Sequence, residues 1–556
     1  MKALTRHIFL TVAGTALVLR GLFALFYVSS PFSFFHCVPG LDMETLLRFG
    51  EWGRPGNSFF FTVHRLQVFL FHYLNNGTHP VLWHTTWQSL LGIAGAVMLA
   101  DIALKLSGKK LFALTAGILW ALNPVELMYE FTTLQDSLVN FGIILSVWSF
   151  LVARKHHFSP LYALGAGGAV GVAATGRPVA IGLVILLSVW SFQYLYRRKL
   201  PLKRIFSFTA GIIAVWLCFS AVNFWKGGPF NCFFNPVPYA VSVNRVQESC
   251  TPDLPQQSNA RFIPILKTSL KMASRIPQVW SPTEIPENLN IYFLRTKIPF
   301  FKLPFEFIPL CAAAGLLLML PTGTWKKKAG FILLPIAALV FFICIREPIG
   351  RYRLLLLPWF VLLTVWLISF CNTRSKALVI FSVLGGIIVS RCVLYAPPLR
   401  AADYAAWGWA LEKEAKQLTP EVIKHFQLAY LLKPESNNAI ALITRAMRTD
   451  NRDLAEKTAR HWISVSNNSA LSCYYGALAA FPDHIRMKEF LSLVKVQDLP
   501  RRLRFRYYIM SGDVQIKHNA PQEALRSYKS ALQLQEGTPA LRSCTLKKIK
   551  QLEDKK

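Results

Sequence analysis

The chain has 556 residues, of which 53% are hydrophobic, and it contains 41 Phe and 15 Trp. This composition excludes a soluble protein with one core, because several windows reach the ~20 apolar residues that a membrane-spanning helix needs. The formal net charge is +32, but the Lys and Arg residues cluster in short loops between apolar segments. The positive-inside rule explains such clusters without a ligand. We therefore expect a polytopic α-helical membrane protein that binds no nucleic acid.

Hydropathy predicts about eleven spans within residues 1–395. They cover residues 4–28, 81–104, 111–127, 134–152, 161–174, 179–196, 205–225, 305–320, 331–345, 354–370 and 378–395. Lys2 precedes the first segment, and Arg6 and His7 lie at its start. It is too long for a signal-peptide core and lacks a small-residue cleavage site. We predict that it is an uncleaved helix whose N-terminus lies in the cytoplasm.

The basic residues support this orientation, because every loop that it places in the cytoplasm is then short and basic. Those loops contain Lys105, Lys109 and Lys110; Arg154 and Lys155; Arg197, Arg198, Lys199, Lys203 and Arg204; Lys326 to Lys328; and Arg374 and Lys376. An odd number of spans then places everything after Tyr395 outside. We expect an integral protein of a bacterial inner membrane.

Two segments on the predicted outer face differ from plain connectors. Residues 40–52 contain Asp42 and Glu44, followed by apolar residues spaced as in a helix that lies on a membrane surface; an ordinary polar loop is the alternative. Residues 226–304 form a loop whose length is typical of a lid or a binding loop, unless it packs over the helix ends. Cys232 and Cys250 lie in this loop, and a disulfide between them is a hypothesis for an oxidising compartment.

After Tyr395 the composition becomes that of a soluble helical domain. Residues 508–534 combine small residues with an Ala-Leu-x-x-Tyr-x-x-Ala-Leu face, and residues 423–434 look like the second helix of another copy. This pattern resembles the tetratricopeptide repeat. We expect residues 396–556 to form an α-solenoid of about three helix pairs. Such a domain either binds a peptide or protein, or stabilises the membrane domain as a cap.

Unusual polar residues gather at the predicted outer ends of the spans. They are Asp42, Glu44, His64, Glu126, Tyr129, Glu130, Asp136, Arg177, Arg346, Arg351 and Arg353. Arg at this face runs against the positive-inside trend, so an anionic partner is expected. The planar guanidinium group of Arg can donate two parallel hydrogen bonds to a phosphate. One carboxylate would deprotonate an attacking hydroxyl, and the Arg residues would stabilise a phosphate leaving group. The cluster therefore predicts that a phosphate-bearing lipid reacts at this face. A helix-end salt bridge is the alternative for each residue taken singly.

Four features in this order resemble the GT-C superfamily of membrane glycosyltransferases, which use polyprenyl-phosphate sugars. Its nearest group is that of the protein O-mannosyltransferases and aminoarabinose transferases. The features are Asp42 in the first outer loop, the run from Asn123 and Pro124 through Tyr129 to Asp136, the Thr-Gly-Arg-Pro turn at 175–178, and Arg351-Tyr352-Arg353 before an apolar run. The resemblance covers about residues 1–395.

The resemblance implies a transferase for a sugar carried on polyprenyl phosphate, with Asp42 as general base and Asp136 as a second acidic site residue. It implies that Arg177, Arg351 and Arg353 contact the lipid phosphate, and Arg346 belongs to the same outer turn. Asp42-Met43-Glu44 looks like the modified Asp-x-Asp pattern of these enzymes, so a divalent metal is an open hypothesis. His64 falls where the family has a His or Lys before two prolines, but both prolines are absent here.

Two other functions remain alternatives at this stage. One is a ligase or polymerase that joins glycans linked to polyprenyl diphosphate, whose key residues would lie in 226–304 or 346–353. The other is a transporter or a membrane scaffold that displays the repeat domain. Transporters generally carry polar groups at mid-membrane, whereas the polar residues singled out above are predicted at helix ends.

Overall fold

The computed structural model describes residues 2–39, 41–44, 80–176, 181–225, 275, 279–280, 289–302, 305, 307–319, 330–345, 350–370, 399–534 and 536–554. These residues form helices, and no strand occurs among them, so the all-α prediction is confirmed for this part of the chain. Contacts between Cα atoms divide the chain into two units, the second of which includes all residues from Arg400 onward. The predicted boundary, after Tyr395, lies outside the described residues.

The helices of the first unit follow the predicted apolar segments. They are α1 (Lys2–Val28), α2 (Pro80–Ser107), α3 (Lys110–Ala121), α4 (Pro124–Glu130), α5 (Asp136–Lys155), α6 (Pro160–Gly176), α7 (Ile181–Arg197), α8 (Lys203–Trp225), α9 (Ile291–Lys297), α10 (Phe307–Met319), α11 (Gly330–Ile345), α12 (Gly350–Arg353) and α13 (Leu357–Phe370). A 3-10 helix, Pro31–Cys37, follows α1.

Within the described residues, six segments are long and apolar enough to cross a membrane. They are Thr5–Val28, Val81–Ser107, Asp136–Lys155, Lys203–Ala221, Pro299–Leu316 and Arg351–Ile368. A seventh results if α3 and α4 form one bent span, and three shorter apolar helices, Pro160–Ala174, Ile181–Arg197 and Ile332–Phe341, accompany them. These helices fit a multi-pass membrane protein. The segment predicted at 378–395 lies outside the described residues.

The segment predicted as one span at 111–127 is broken, and α3 and α4 meet at an angle of 53°. Pro124 has no N–H to continue the helix and disfavours the helical conformation of the residue before it. Asn123 is that residue, and its side chain accepts hydrogen bonds from the N–H groups of Val125 (2.9 Å) and Glu126 (3.2 Å). The cap starts a new short helix whose seven residues are all buried.

Close contacts between backbones hold part of this unit together. α2 packs against α1, α3 and α5, while α6 packs against α5 and α8. At the α6–α8 contact, a Cβ on Gly167 would lie 1.9 Å from the Phe208 carbonyl oxygen, and one on Gly211 would lie 2.2 Å from the Leu164 carbonyl oxygen. Small residues allow such approach in membrane bundles, where apolar burial gives little force between helices.

The second unit is a run of amphipathic helices. They are α14 (Ala401–Ala415), α15 (Pro420–Leu432), α16 (Ser436–Arg448), α17 (Arg452–Val465), α18 (Ala470–Ala479), α19 (His484–Ser492), α20 (Arg501–Lys517), α21 (Pro521–Gln533) and α22 (Pro539–Glu553). Each helix packs against the next one along the chain. Buried side chains accordingly form successive clusters around Phe426 and Trp462, around Tyr474 and Phe490, and around Tyr528.

The segment that resembles a repeat has specific contacts between its two helices. A Cβ on Gly512 in α20 would lie 2.5 Å from the Tyr528 ring of α21, so the two helices touch where the sequence has its small residue. Ala524, Tyr528 and Ala531 are buried on the facing side of α21. The Tyr528 hydroxyl donates to the carboxylate of Asp513 at 2.5 Å. Burial, and next this bond to Asp513, raise the pKa of Tyr528 above its usual value.

We predict that Phe426→Ala destabilises the second unit by about 3–5 kcal/mol, as is usual when a fully buried aromatic ring is removed. Phe426 has no exposed surface, and the guanidinium of Arg445 lies 3.9 Å from its ring centre. Leu431→Ala on the same helix is the control, because Leu431 is 73% exposed. Thermal unfolding of the detergent-solubilised chain should show a lower midpoint only for Phe426→Ala. Equal midpoints would contradict this packing.

Candidate functional site

The structure joins two predicted site residues that are far apart in the sequence. Arg351 Nη1 donates a hydrogen bond to Asp42 Oδ2 over 2.6 Å, although 309 positions separate the two residues. The Arg351 side chain is 14% exposed and that of Asp42 is 32% exposed. An ion pair that keeps contact with solvent can exchange partners, which a fully buried pair cannot do cheaply.

The segment that carries Asp42 is attached to the turn that precedes Asp136. Residues Asp42 to Glu44 are helical. The Thr133 hydroxyl donates to the Met43 carbonyl oxygen at 3.0 Å, and the Met43 side chain is 1% exposed. Asp136 begins α5 and is fully buried. Both predicted acidic residues therefore belong to segments that meet at one end of the helices.

α2 supports the same turn with side chains that were not predicted. Gln88 Nε2 donates to the Leu134 carbonyl oxygen at 2.9 Å and contacts the His84 ring. Both side chains are buried, at 0% and 1% exposed. Because Leu134 lies between Thr133 and Asp136, the first turns of α2 fix the path of the chain into α5. This contact positions the turn.

Arg353 lies in a different environment from Arg351. It is 5% exposed, and its Nε donates to the Val279 carbonyl oxygen at 3.2 Å. With Asn123 it lines a recess whose other walls are apolar. Those walls are Val125, Phe305, Pro309, Leu354, Leu357 and Phe360. An anionic group that reached this recess would meet a counter-charge among apolar side chains.

A second ion pair is buried inside the bundle. Arg20 Nη2 of α1 donates to Glu130 Oε1 of α4 at 2.5 Å, and the side chains are 2% and 0% exposed. Gly92 of α2 lies against the pair, since a Cβ there would be 2.0 Å from Glu130 Oε1 and 2.7 Å from Arg20 Nη2. Three helices therefore meet at one pair of charges, and only glycine leaves room for it.

Glu126, one turn before Glu130, is held by α5. Its carboxylate accepts hydrogen bonds from Asn140 Nδ2 at 2.8 Å and from the Ser137 hydroxyl at 3.2 Å, and the side chain is 1% exposed. Both carboxylates were predicted to belong to the outer polar cluster, with a helix-end salt bridge as the alternative for each taken singly. In the structure Glu130 pairs with Arg20 of α1, and Glu126 ties the bent helix to α5.

Sequence reasoning did not single out Arg20, Gly92, His84 or Gln88. A signal existed for Arg20, because an Arg inside a 24-residue apolar span is costly and implies a buried partner. Mean hydropathy is averaged over a window of residues, so one Arg changes it little and the signal is hidden. The others carry no signal of their own, since their roles follow from how the helices rotate against one another.

The structure describes some of the remaining predicted residues and not others. Tyr129 is 3% exposed and lies within α4, while Glu44 is partly exposed at the end of the described 41–44 segment. His64, Arg177 and Arg346 lie outside the described residues, as do Cys232 and Cys250 and nearly all of the loop at 226–304.

The carboxylates do not form a metal site by themselves. Within the described ranges, no three His, Cys, Asp or Glu side chains are grouped so that they could hold a metal ion. Asp42 and Glu44 are two positions apart on a helical segment, so their side chains point in different directions. The divalent metal that the resemblance to GT-C enzymes suggests stays a hypothesis.

We predict that Arg20→Met destabilises the first unit by about 3–5 kcal/mol, because it leaves Glu130 buried without its counter-charge. The double variant Arg20→Met/Glu130→Met should recover most of this loss, since apolar side chains of similar size can replace a buried pair. Thermal unfolding in detergent measures both effects. If the double variant is as unstable as the single one, charge pairing is not what Arg20 contributes.

Comparisons with known proteins give no match for this chain. No family model matches it, and neither a curated protein nor a solved structure is similar to it.

Proposed function

We propose that the protein is a membrane glycosyltransferase that moves a sugar from a polyprenyl-phosphate donor to an acceptor at the outer face of the membrane. The observation that carries the proposal is the 2.6 Å ion pair between Asp42 and Arg351, beside the turn that leads into Asp136. A carboxylate base and a phosphate-binding cation are the two groups that this reaction needs within reach of one another.

Arg351 has a part both before and after the donor binds. In the structure its guanidinium engages Asp42, and 14% of the side chain remains exposed. The phosphodiester of the donor offers two anionic oxygens that match the planar guanidinium of Arg351. When Arg351 turns to the phosphate, the Asp42 carboxylate gives up this ion pair and acts as the base. The buried Arg353 then adds positive charge beside the recess that it shares with apolar side chains.

The transfer itself requires one proton acceptor and one stabilised leaving group. Asp42 takes the proton of the acceptor hydroxyl while that oxygen forms a bond to the anomeric carbon of the sugar. The bond between this carbon and the phosphate oxygen breaks, and polyprenyl phosphate leaves with the electron pair. Arg351 and Arg353 stabilise the charge that develops on the phosphate. Asp136, buried at the start of α5, shapes the acidic side of the site.

The proposal includes a topology of about eleven spans, in a bacterial inner membrane, with the N-terminus in the cytoplasm. It also includes a tetratricopeptide-like solenoid at residues 396–556 on the outer face, which would recruit a protein or peptide. The step-by-step packing of α14 to α22 supports the solenoid, because repeat proteins contact mainly their neighbours along the chain.

We predict that Asp42→Asn lowers turnover by about 100-fold or more, since general-base catalysis contributes that much. The chain in nanodiscs would be given a panel of polyprenyl-phosphate hexoses with a membrane extract as acceptor source, and released polyprenyl phosphate would be quantified by mass spectrometry. Glu44→Gln is the matched control and should keep most of the activity. An Asp42→Asn chain with undiminished release would rule out Asp42 as the base.

Arg351→Lys separates phosphate recognition from a role for Arg351 in holding Asp42. Lys keeps the charge but loses the two-pronged geometry, so KM for the donor should rise more than kcat falls. If residues 350–353 prove essential while Asp42→Asn is active, the ligase that uses polyprenyl-diphosphate donors becomes the better assignment.

The orientation of the second unit gives an independent prediction. Cys544 is exposed on α22, so a membrane-impermeant maleimide should label it in intact cells if this unit lies outside. Peptide mapping identifies the labelled thiol, and Cys544→Ser is the control. Labelling that appears only after the membrane is permeabilised would place the unit in the cytoplasm and contradict the proposed topology.

A transporter is the second candidate, and the buried pair of Arg20 and Glu130 favours it. Charges inside a helix bundle often mark the path of an ion or a solute. Proteoliposomes distinguish the two functions, because a transporter accumulates its substrate without releasing polyprenyl phosphate. Glu130→Gln should then abolish accumulation, whereas Asp42→Asn should not.

A further inference from the structure

The ends of three helices meet on the side of the first unit opposite to Asp136. α5 has 20 residues between Asp136 and Lys155, so its two ends lie about 30 Å apart. At the far end, Arg204 Nη1 of α8 donates to the His157 carbonyl oxygen at 2.5 Å. Tyr194 of α7 donates its hydroxyl to the Arg154 carbonyl oxygen at 3.4 Å and lies 3.3 Å from His157 Nδ1. These contacts connect the ends of α5, α7 and α8 directly.

A buried ring fixes this junction. Phe158 has no exposed surface and packs against the rings of Phe150, Tyr194 and Phe208, with centroid distances of 5.4, 5.5 and 6.5 Å. His157 and Phe158 both have positive φ, at 51° and 52°. Such conformations persist where the surroundings determine them. The loop is therefore held in one shape by its own anchor.

The junction carries an unbalanced positive charge. Its cations besides Arg154 are Lys155, Arg197, Arg198, Lys199, Lys203 and Arg204, and all except the half-buried Arg204 are exposed. Residues 137–225 contain no Asp or Glu. Among the described residues, no carboxylate forms an ion pair with any of these six side chains. By contrast, Lys105 at the end of α2 is paired with Asp101.

Apolar side chains surround the unbalanced cations. Leu161, Tyr196, Leu202 and Phe206 are 65–76% exposed, and they lie on α6, on α7, at the α7–α8 turn and on α8. A soluble anion would gain nothing from these side chains. A lipid offers both an anionic headgroup and acyl chains, and basic pockets between membrane helices recognise such headgroups.

We propose that the ends of α5, α7 and α8 form a binding site for the phosphate headgroup of an anionic phospholipid. Arg198 and Lys203 provide the exposed cations, and Arg204, held on the His157 carbonyl, sets the spacing between α5 and α8. The acyl chains lie along the exposed side chains of α7 and α8. This site is separate from the one that contains Asp42 and does not depend on glycosyl transfer.

The test uses the purified full chain and native mass spectrometry. The wild type should retain phosphatidylglycerol in preference to phosphatidylcholine with the same acyl chains. Arg198→Gln/Lys203→Gln should weaken phosphatidylglycerol retention about tenfold or more, because each basic residue near an anionic headgroup contributes substantially. Lys109→Gln/Lys110→Gln removes the same charge from the α2–α3 turn and should leave retention unchanged.

Several results would overturn the proposal. They are equal retention of both lipids by the wild type, an unaffected Arg198→Gln/Lys203→Gln variant, and equal losses in the two double variants, which would indicate diffuse attraction only. Displacement of phosphatidylglycerol by inorganic phosphate or by a polyglutamate peptide would reassign the site to a soluble anion. If the variant does not fold, hydrogen exchange at residues 153–160 and 195–206 of the wild type tests the proposed site instead. It should be slower in phosphatidylglycerol nanodiscs than in phosphatidylcholine nanodiscs, and equal rates would refute the site.

Discussion

The buried pair of Arg20 and Glu130 is the interaction on which the arrangement of the first unit depends. An ionised carboxylate inside a helix bundle is very costly unless a counter-charge and hydrogen bonds accompany it. α1 supplies the cation, α4 supplies the carboxylate, and α2 supplies the space at Gly92. None of these three helices can rotate or slide without exposing one charge to an apolar surrounding. α1 precedes the segment that carries Asp42, and α4 precedes the turn that leads to Asp136. The pair therefore also fixes the starting points of both segments.

α5 separates two regions of opposite chemistry. Its first turn joins the polar network of Glu126, Ser137 and Asn140, and its last turn ends among cations that have no carboxylate nearby in the sequence. The ~30 Å between them is also the thickness of a bilayer's hydrocarbon core. The basic end agrees with the loops expected in the cytoplasm, whereas Glu126 and Asp136 lie at the other end. Orientation, the proposed reaction and the proposed lipid site therefore depend on one division of charge along a single helix.

The sequence was sufficient for properties that depend on composition and local pattern. Apolar windows predicted most helices of the first unit within a few residues, since length and hydropathy determine a membrane helix almost alone. The break before Pro124 was missed when 111–127 was predicted as one span, although Asn-Pro is both a cap and a helix stop. Properties that depend on rotation were not readable. Nothing in the sequence indicates that Glu130 faces Arg20, or that Gln88 reaches the Leu134 carbonyl. The pairing of Asp42 with Arg351 lies between these cases, because each residue was selected singly and only the fold brings them into contact.

The two ion pairs of the first unit differ in a way that indicates which one is available for chemistry. Arg20 and Glu130 are at most 2% exposed, so separating them leaves an uncompensated charge at a cost of several kcal/mol. Asp42 and Arg351 keep 32% and 14% of their side-chain surface exposed, so separating them costs less desolvation than separating Arg20 from Glu130. In the proposed reaction the donor phosphate competes for Arg351 at the more exposed of the two pairs. The fully buried pair, by contrast, holds α1 and α4 together.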